Sequence, residues 1–317
     1  MNPRIVFMGT PDFAVASLDA IVAAGYDVAA VVTTPDRPAG RGQKLATSAV
    51  KQYALQHDLP LLQPEKLRDP AFLEALAALQ ADLFVVVAFR MLPQCVWAMP
   101  PMGTFNLHAS LLPRYRGAAP INWAIINGEK KTGVTTFLLN ERIDEGSILL
   151  QETTPIREDD NVETLHDRLA EMGKQLVVQT IKGLAAGALV PKPQNIEATD
   201  TLPNAPKIFK EDCQLHWNQP AHVLHNFVRG LSPYPAAWMR ITDAKGQPQQ
   251  IKIYETRPEK GPESTPGTLY SDGKKSLKVG TCDGFLHIIS LQMSGKHRIS
   301  VEELLRGYDV STWKTVY

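Results

Sequence analysis

The segment Asp82-Leu83-Phe84-Val85-Val86-Val87-Ala88-Phe89 decides the fold class of this 317-residue chain. After Asp82 it is an uninterrupted run of apolar side chains, with no alternation between apolar and polar residues. A strand of this kind is buried on both faces, as in a parallel sheet that helices cover on both sides. We therefore predict that the segment is an inner strand of an α/β domain.

Strand-like runs alternate with helical patterns on both sides of this segment. Further strands are predicted at residues 5–8, 28–33, 104–108, 133–139 and 147–155, and helices at 13–24, 46–57, 118–128 and 162–186. Strands that alternate with helices in this way predict a doubly wound, mostly parallel sheet.

The composition changes after this region. Residues 189–206 contain four prolines with Asn, Thr and Asp between them, which favours an extended linker. Beyond it we predict a helix at 221–230 and short strands at 237–241, 250–254, 267–270, 276–280 and 285–291. Short strands at this spacing predict a small β-barrel or sandwich. We therefore expect a first domain at 1–188, a linker at 189–206 and a second domain at 207–317.

Composition excludes several classes of protein. The chain is 44% hydrophobic and 21% charged, and no apolar run approaches the ~18 residues that cross a bilayer. The chain enters a strand almost at once and has no signal-peptide pattern, so we expect a cytoplasmic protein. Cys95, Cys213 and Cys282 are far apart, which predicts free thiols and neither a disulfide framework nor a metal cluster.

The net charge of zero conceals an asymmetry. Residues 1–206 carry 18 Lys or Arg against 22 Asp or Glu, and residues 207–317 carry 15 against 11. The two parts therefore have net charges of −4 and +4. A basic second part indicates an anionic partner, although a charge of this size is also compatible with an ordinary solvated surface.

Two polar residues stand on the predicted strand at 104–108. Side chains alternate across a strand, so Asn106 and His108 point to the same face. The next segment, Ser110-Leu111-Leu112-Pro113-Arg114-Tyr115-Arg116-Gly117, is too rich in Pro, Gly and Arg to continue the strand. The pair therefore lies where a strand ends, which is where open α/β sheets bind ligands. A pair of hydrogen-bonded core residues is the alternative.

Asp144 lies in the turn Asn140-Glu141-Arg142-Ile143-Asp144-Glu145-Gly146-Ser147, between two predicted strands. An acidic residue in such a place is most often a simple turn residue. If the turn reaches the end of the strand at 104–108, its carboxylate can orient His108 and relay protons. The turn after the first strand, Gly9 to Phe13, lacks the glycine spacing of dinucleotide-binding and P-loop motifs.

Taken in order, Asn106, His108, the segment 110–117 and Asp144 in its Asp-Glu-Gly turn resemble the signature of the folate-dependent formyltransferases. The resemblance implies a Rossmann-like domain that moves a formyl group from 10-formyltetrahydrofolate to an amine, without a metal. It implies that Asn106 stabilises the oxyanion and that His108 and Asp144 assist proton transfer. It also implies folate-binding residues at Phe89, Arg90, Met91, Leu92, Ser110, Leu111, Leu112 and Pro113. The segment 88–93 departs from the Tyr-Gly turn that is usual there in the family.

Two further regions resemble the branch of the family that formylates methionyl-tRNA. The Gly- and Pro-rich loop at 34–45, with Arg37, Arg41 and Lys44, is similar to the insertion that grips the tRNA acceptor arm. The segment 231–238 is similar to the start of that branch's OB-like barrel. The resemblance therefore implies initiator methionyl-tRNA as the partner, a role in translation initiation and, by default, a monomer. A sugar-nucleotide formyltransferase and an inactive tRNA-binding protein remain as alternatives.

Overall fold

The computed structural model describes residues 2–39, 44–194, 201–262 and 264–316. The chain forms two compact units. The first comprises Met1–Gly117, Lys131–Thr154 and His166–Asn204, and the second comprises Ala118–Lys130, Pro155–Leu165 and Ala205–Tyr317. The domain boundaries at 188 and 207 stay a prediction.

The elements follow the chain in this order. The strands are β1 (Arg4–Gly9), β2 (Asp27–Val32), β3 (Arg37–Ala39), β4 (Lys44–Ala46), β5 (Leu61–Leu62), β6 (Leu83–Val87), β7 (Thr104–His108), β8 (Lys131–Leu138), β9 (Ile148–Pro155), β10 (Ala237–Thr242), β11 (Pro248–Lys260), β12 (Leu269–Ser271), β13 (Leu277–Thr281), β14 (Gly284–Met293), β15 (Arg298–Ser300) and β16 (Lys314–Val316). The helices are α1 (Asp12–Ala23), α2 (Ala49–Gln56), α3 (Pro70–Ala78), α4 (Gln94–Trp97), α5 (Pro120–Ile126), α6 (Val162–Ala185), α7 (Ala221–Arg229) and α8 (Val301–Gly307).

The first unit contains a seven-stranded sheet in the order β5-β2-β1-β6-β7-β8-β9. The β5-β2, β2-β1, β1-β6 and β6-β7 pairs are parallel, and β7-β8 is antiparallel. Every residue of β6 is buried, as the apolar run at 82–89 predicts. The prediction of a doubly wound, mostly parallel sheet is confirmed. From β1 the sheet grows in one direction through β2 and β5, and from β6 it grows in the other direction through β7, β8 and β9. The direction of strand order therefore reverses between β1 and β6.

The turn after β1 brings α1 close to this reversal point. A Cβ atom on Gly9 would lie 2.6 Å from Ala14 Cβ and 3.0 Å from the carbonyl oxygen of Val87. A larger residue would therefore push α1 away from β1 and β6. Glycine at position 9 is therefore required for the close packing of α1 against β1 and β6.

The second unit contains a seven-stranded antiparallel sheet. Six strands follow the order β12-β13-β14-β11-β10-β16, and β15 pairs with β14. The Thr315 hydroxyl in β16 donates a hydrogen bond of 2.7 Å to the Gly267 carbonyl, just before β12, and so joins the two ends of the sheet. The sheet is thus a nearly closed barrel, which confirms the predicted C-terminal β-barrel.

Two local predictions need correction. The helix predicted at 46–57 begins at Ala49, because the side chain of Ser48 accepts a hydrogen bond from the Lys51 amide and caps it. Residues 44–46 instead pair with residues 37–39 as a short hairpin within the predicted loop. We made no prediction for α3, although Asp69 caps it and Pro70 occupies its first turn.

Candidate active site

The strand β7 ends at the same edge of the sheet as β1 and β6. Leu107 points to the opposite face from its neighbours and packs against Gly173 of α6, where a Cβ atom would lie 2.6 Å from Leu107 Cδ2. Asn106 is half-buried, and its Oδ1 is buried without a hydrogen-bond partner in the described part of the chain. A buried acceptor without a partner is rare in proteins and calls for an explanation.

His108 is buried, with 6% of its surface exposed. Its Nε2 lies 2.8 Å from the backbone carbonyl oxygen of Tyr115. A carbonyl oxygen can only accept, so Nε2 carries the hydrogen and donates it. The other ring nitrogen, Nδ1, lies 3.9 Å from Oδ2 of Asp144. The turn of Asp144 therefore does reach the end of β7, and its carboxylate faces the Nδ1 side of the His108 ring.

Asp144 lies in the loop between β8 and β9 and has a left-handed backbone conformation, with φ of 54°. Its Oδ2 accepts a hydrogen bond of 2.9 Å from the backbone amide of Gly117. The loop also requires a glycine: a Cβ atom on Gly146 would lie 1.6 Å from the carbonyl oxygen of Leu138. The Asp-Glu-Gly turn and the segment 110–117 are thus joined by a hydrogen bond beside His108.

The segment Ser110 to Pro113 is held by polar side chains of the two neighbouring strands. Thr135 of β8 donates to the Ser110 carbonyl at 2.6 Å and accepts from the Leu112 amide at 3.2 Å. Gln151 of β9 donates to the Leu112 carbonyl at 2.9 Å. Sequence analysis missed Thr135 and Gln151, because polar residues on strands carry no pattern that separates them from solvent-facing ones. The folate-binding role of Ser110, Leu111, Leu112 and Pro113 stays a prediction.

The segment 89–92 follows β6 at the same edge of the sheet. Leu92 is buried against the core, whereas Met91 is exposed. The guanidinium of Arg90 donates to the carbonyl oxygens of Pro64 and Glu65, and it lies 5.5 Å from the centre of the Phe89 ring. Burial lowers the pKa of Arg90, and the charge of Arg37 lowers it further.

The Nε atom of Arg90 is buried and has no partner among the described residues. Arg90 therefore links the segment 89–92 to the loop before α3 through hydrogen bonds, and its Nε–H is a donor without a partner among the described residues. The folate-binding role of Phe89, Arg90, Met91 and Leu92 stays a prediction.

The hairpin of β3 and β4 carries the predicted tRNA-binding residues. Arg37 is exposed on β3, Lys44 begins β4, and Arg41 lies outside the described residues. Asp36, at the base of the hairpin, contacts Lys51 Nζ at 2.5 Å and accepts from Gln63 Nε2 at 3.1 Å. Hydrogen bonds from these two side chains hold the pKa of Asp36 below its usual value. These two contacts therefore fix the position of Asp36, the residue immediately before β3.

No group of three or more His, Cys, Asp or Glu side chains in the described ranges is arranged to hold a metal ion. No helix within them is long and apolar enough to cross a membrane.

Comparison with known proteins decides the family. A model described as "Formyl transferase" matches residues 3–181, and one described as "Formyl transferase, C-terminal domain" matches residues 207–309. A methionyl-tRNA formyltransferase of Bacteroides fragilis is 53% identical over 312 residues, which cover 97% of this chain and 96% of that protein. The chain belongs to the methionyl-tRNA formyltransferase family. A member from Flavobacterium johnsoniae is 49% identical over 314 residues and covers 99% of both chains. As a member of the methionyl-tRNA formyltransferase family, the chain is a formyl-transferring enzyme.

Solved structures outside the methionyl-tRNA formyltransferase family share the fold. The N-formyltransferase of Helicobacter canadensis has a TM-score of 0.63 at 19% identity and covers 90% of this chain and 98% of that one. HypX of Aquifex aeolicus has a TM-score of 0.63 at 19% identity and covers 96% of this chain and 47% of that one. At these identities the likeness concerns the fold alone.

Proposed function

We propose that this enzyme transfers the formyl group of 10-formyltetrahydrofolate to the α-amino group of initiator methionyl-tRNA. The products are N-formylmethionyl-tRNA, for translation initiation, and tetrahydrofolate. The observation that carries the proposal is the approach of His108 Nδ1 to Asp144 Oδ2 beside the unpaired Oδ1 of Asn106. The relative from Bacteroides fragilis, named methionyl-tRNA formyltransferase, supports the same substrate.

The reaction needs an acceptor for a proton and a donor for an oxyanion. The α-amine attacks the formyl carbon, a C–N bond forms, and the carbonyl becomes an oxyanion. Asn106 donates from Nδ2 to this oxyanion. His108 takes up the amine proton, Asp144 stabilises the resulting imidazolium, and His108 returns the proton to N10 of the folate as the N10–C bond breaks.

The folate is placed at the carboxyl edge of the sheet. The segments 89–92 and 110–113 both follow strands that end there, and open α/β sheets bind ligands at that edge. HypX, which shares the fold, was solved in complex with tetrahydrofolic acid. We assign the pterin and its formyl group to the space between these segments, with no metal in the reaction.

The tRNA is a polyanion, and the chain offers basic groups in both units. Arg37 is exposed on the first unit, Lys44 begins β4 of the same hairpin, and Arg41 lies between them in the sequence, outside the described residues. In the second unit, Lys207, Lys210 and Lys252 line a cavity of about 370 Å³, where the lining among described residues contains no carboxylate. Phosphate contacts of this kind position a nucleic acid without reading its sequence. We place the enzyme, as a monomer, in the cytoplasm, where initiator tRNA is charged.

The test measures formyl transfer from 10-formyltetrahydrofolate to initiator tRNA charged with methionine. Uncharged initiator tRNA is the control, and an amino-sugar nucleotide tests the alternative acceptor. We expect tetrahydrofolate release only with the charged tRNA. Transfer to the sugar nucleotide without transfer to methionyl-tRNA would overturn the substrate assignment.

A further inference from the structure

Gln194 lies in the Pro-rich segment after α6, two residues beyond a point where that segment pairs with β9. The backbone of Lys192 exchanges hydrogen bonds with that of Ile148, at 2.7 and 2.8 Å. From this anchored position, the Gln194 side chain reaches the loop that carries Asp144. The segment is therefore more than a connection, because part of it lies against the reaction centre.

The amide of Gln194 uses all of its hydrogen-bonding capacity there. Its Nε2 donates to the carbonyl oxygens of Asp144, at 2.9 Å, and Gly146, at 2.8 Å. Its Oε1 accepts from Nε and Nη2 of Arg116, at 3.2 and 2.6 Å. A side-chain amide has two donor hydrogens and two acceptor lone pairs, so the group is saturated and its orientation is fixed.

Arg116 completes the arrangement from the other side. Its Nη1 lies 2.9 Å from Oε1 of Glu145, the residue after Asp144. The next residue, Gly117, donates its backbone amide to the Asp144 carboxylate at 2.9 Å. Asp144 is thus held by its carbonyl, its carboxylate and its neighbour at the same time.

This arrangement accounts for the backbone of Asp144. A left-handed conformation is unfavourable for a residue other than glycine, and it persists only when surrounding contacts enforce it. The contacts of Gln194 are made to backbone carbonyls on both sides of Glu145. The Gln194 contacts therefore fix the backbone conformation of residues 144–146, whereas the Gly117 amide fixes only the position of the Asp144 carboxylate.

We propose that Gln194 is a positioning residue for Asp144: with Arg116, it holds the loop in the conformation that keeps the carboxylate opposite His108 Nδ1. The proposal rests on the formyl-transfer role given above to Asp144 and His108. Gln194 does not touch the reacting atoms, and its effect passes through Asp144.

Two variants test this. Gln194→Leu keeps the size of the side chain and removes all four hydrogen bonds. Gln194→Glu keeps acceptors for Arg116 but sets a carboxylate against the carbonyl oxygens of Asp144 and Gly146. Gln52→Leu is the matched control, because Gln52 is an exposed glutamine of the same unit whose side chain donates a hydrogen bond to Thr47, away from the Asp144 loop.

The kinetic measurement compares each variant alone and combined with Asp144→Asn, in single-turnover formyl transfer. We expect both Gln194 variants to lower the rate about 10- to 100-fold, as a misplaced catalytic group does, and Gln52→Leu to have no effect. In the Asp144→Asn background, Gln194→Leu should cost less than about 2-fold, because residues that act through one group are not additive. A full additional loss in that background, or a wild-type rate for Gln194→Leu, would overturn the proposal.

The second measurement uses the protein without substrate. The ¹⁵N chemical shift of His108 Nδ1 should move in Gln194→Leu toward its value in Asp144→Asn and stay unchanged in Gln52→Leu. An unchanged shift in both Gln194 variants would overturn the positioning role, whatever acceptor the enzyme uses. If wild-type protein fails to formylate methionyl-tRNA, the proposed substrate is wrong, and this measurement still decides the role of Gln194.

Discussion

His108 donates a hydrogen bond from Nε2 to the backbone carbonyl of Tyr115, at 2.8 Å, and thereby presents Nδ1 to Asp144. One contact therefore sets both the ring orientation and the position of its hydrogen. The two ring nitrogens therefore have different surroundings: Nε2 is bound to the backbone, and Nδ1 faces a carboxylate.

Replacement of His108 by alanine should lower the rate of formyl transfer by roughly 100-fold or more, because proton transfer to and from the amine loses its carrier. Single-turnover transfer measures the chemical step. His57→Ala is the matched control. The His57 ring also contacts a backbone carbonyl, that of Tyr53, but the residue lies at the C-terminal end of α2, outside the site. Turnover near the wild-type rate in folded His108→Ala protein would remove His108 from the mechanism.

Replacement of Asn106 by alanine should separate activity from stability. The oxyanion loses a donor, which lowers the rate by roughly 100-fold or more. The free energy of unfolding should hardly change, because the substitution also removes a buried acceptor that has no partner. Stopped-flow transfer and urea unfolding of the same preparation test both parts. A large loss of stability would show that Asn106 is a structural residue.

Gly146→Ala should disturb the site through the backbone. The added Cβ would collide with the Leu138 carbonyl at 1.6 Å, so the turn must open and Asp144 must move. We expect a loss of about 1 to 3 kcal/mol in unfolding free energy together with reduced transfer. Gly307→Ala is the control, because its added Cβ would meet no atom within 4 Å apart from its chain neighbours and its own helix backbone. Equal behaviour of the two variants would contradict the close-packing argument.

Arg37→Ala should weaken the interaction with tRNA without changing the chemical step. We expect the KM for methionyl-tRNA to rise and kcat to be retained. The slope of the logarithm of the binding constant against the logarithm of the salt concentration should become shallower by about one, as expected for one lost phosphate contact. Binding titrations at several salt concentrations measure this slope. Arg68→Ala, at another exposed arginine of the same unit, should leave the slope unchanged. An unchanged slope in Arg37→Ala would remove Arg37 from the interface.

The barrel unit should lose stability in mild acid because of His225. Burial, and then the charge of Arg229, lowers the pKa of His225 from 6.5 to about 4. A lowered folded-state pKa gives stability that is present above pH 6.5 and is lost as the pH falls toward 4. We expect a loss of about 1 to 3 kcal/mol across that window, and a flatter profile in His225→Gln. Urea unfolding followed by tryptophan fluorescence between pH 4 and 7 tests this, and parallel profiles would contradict it.

Much of the fold follows from apolar patterning. The strand β7 has the predicted bounds, and α6 ends one residue before the predicted position. These elements are long or strongly patterned, so burial and local preference agree. In contrast, β5 has two residues, and its position depends on the neighbouring strand β2 rather than on its own sequence. The short helix α8 had a capping box at Ser300 and Glu303 that was available to sequence analysis and was missed.

The candidate site was predictable only in part. Asn106, His108 and Asp144 stand out because polar residues at the end of a strand and in a glycine turn need an explanation. Gln194 gave no such signal: it is one glutamine in a Pro-rich segment, and its role depends on contacts across 50 residues of sequence. The distance of 3.9 Å between His108 and Asp144 likewise comes from tertiary structure.

Two main-chain groups contact the central side chains: the Tyr115 carbonyl accepts from His108, and the Gly117 amide donates to Asp144. These contacts affect which substitutions the site can accept during evolution. Replacing the side chain at position 115 leaves its carbonyl in place, since every residue has one. Position 117 is less tolerant, because the φ of Gly117 is 121°, a backbone conformation that favours glycine. The same centre is vulnerable to insertions and deletions, which shift the chain by a residue and move both groups at once.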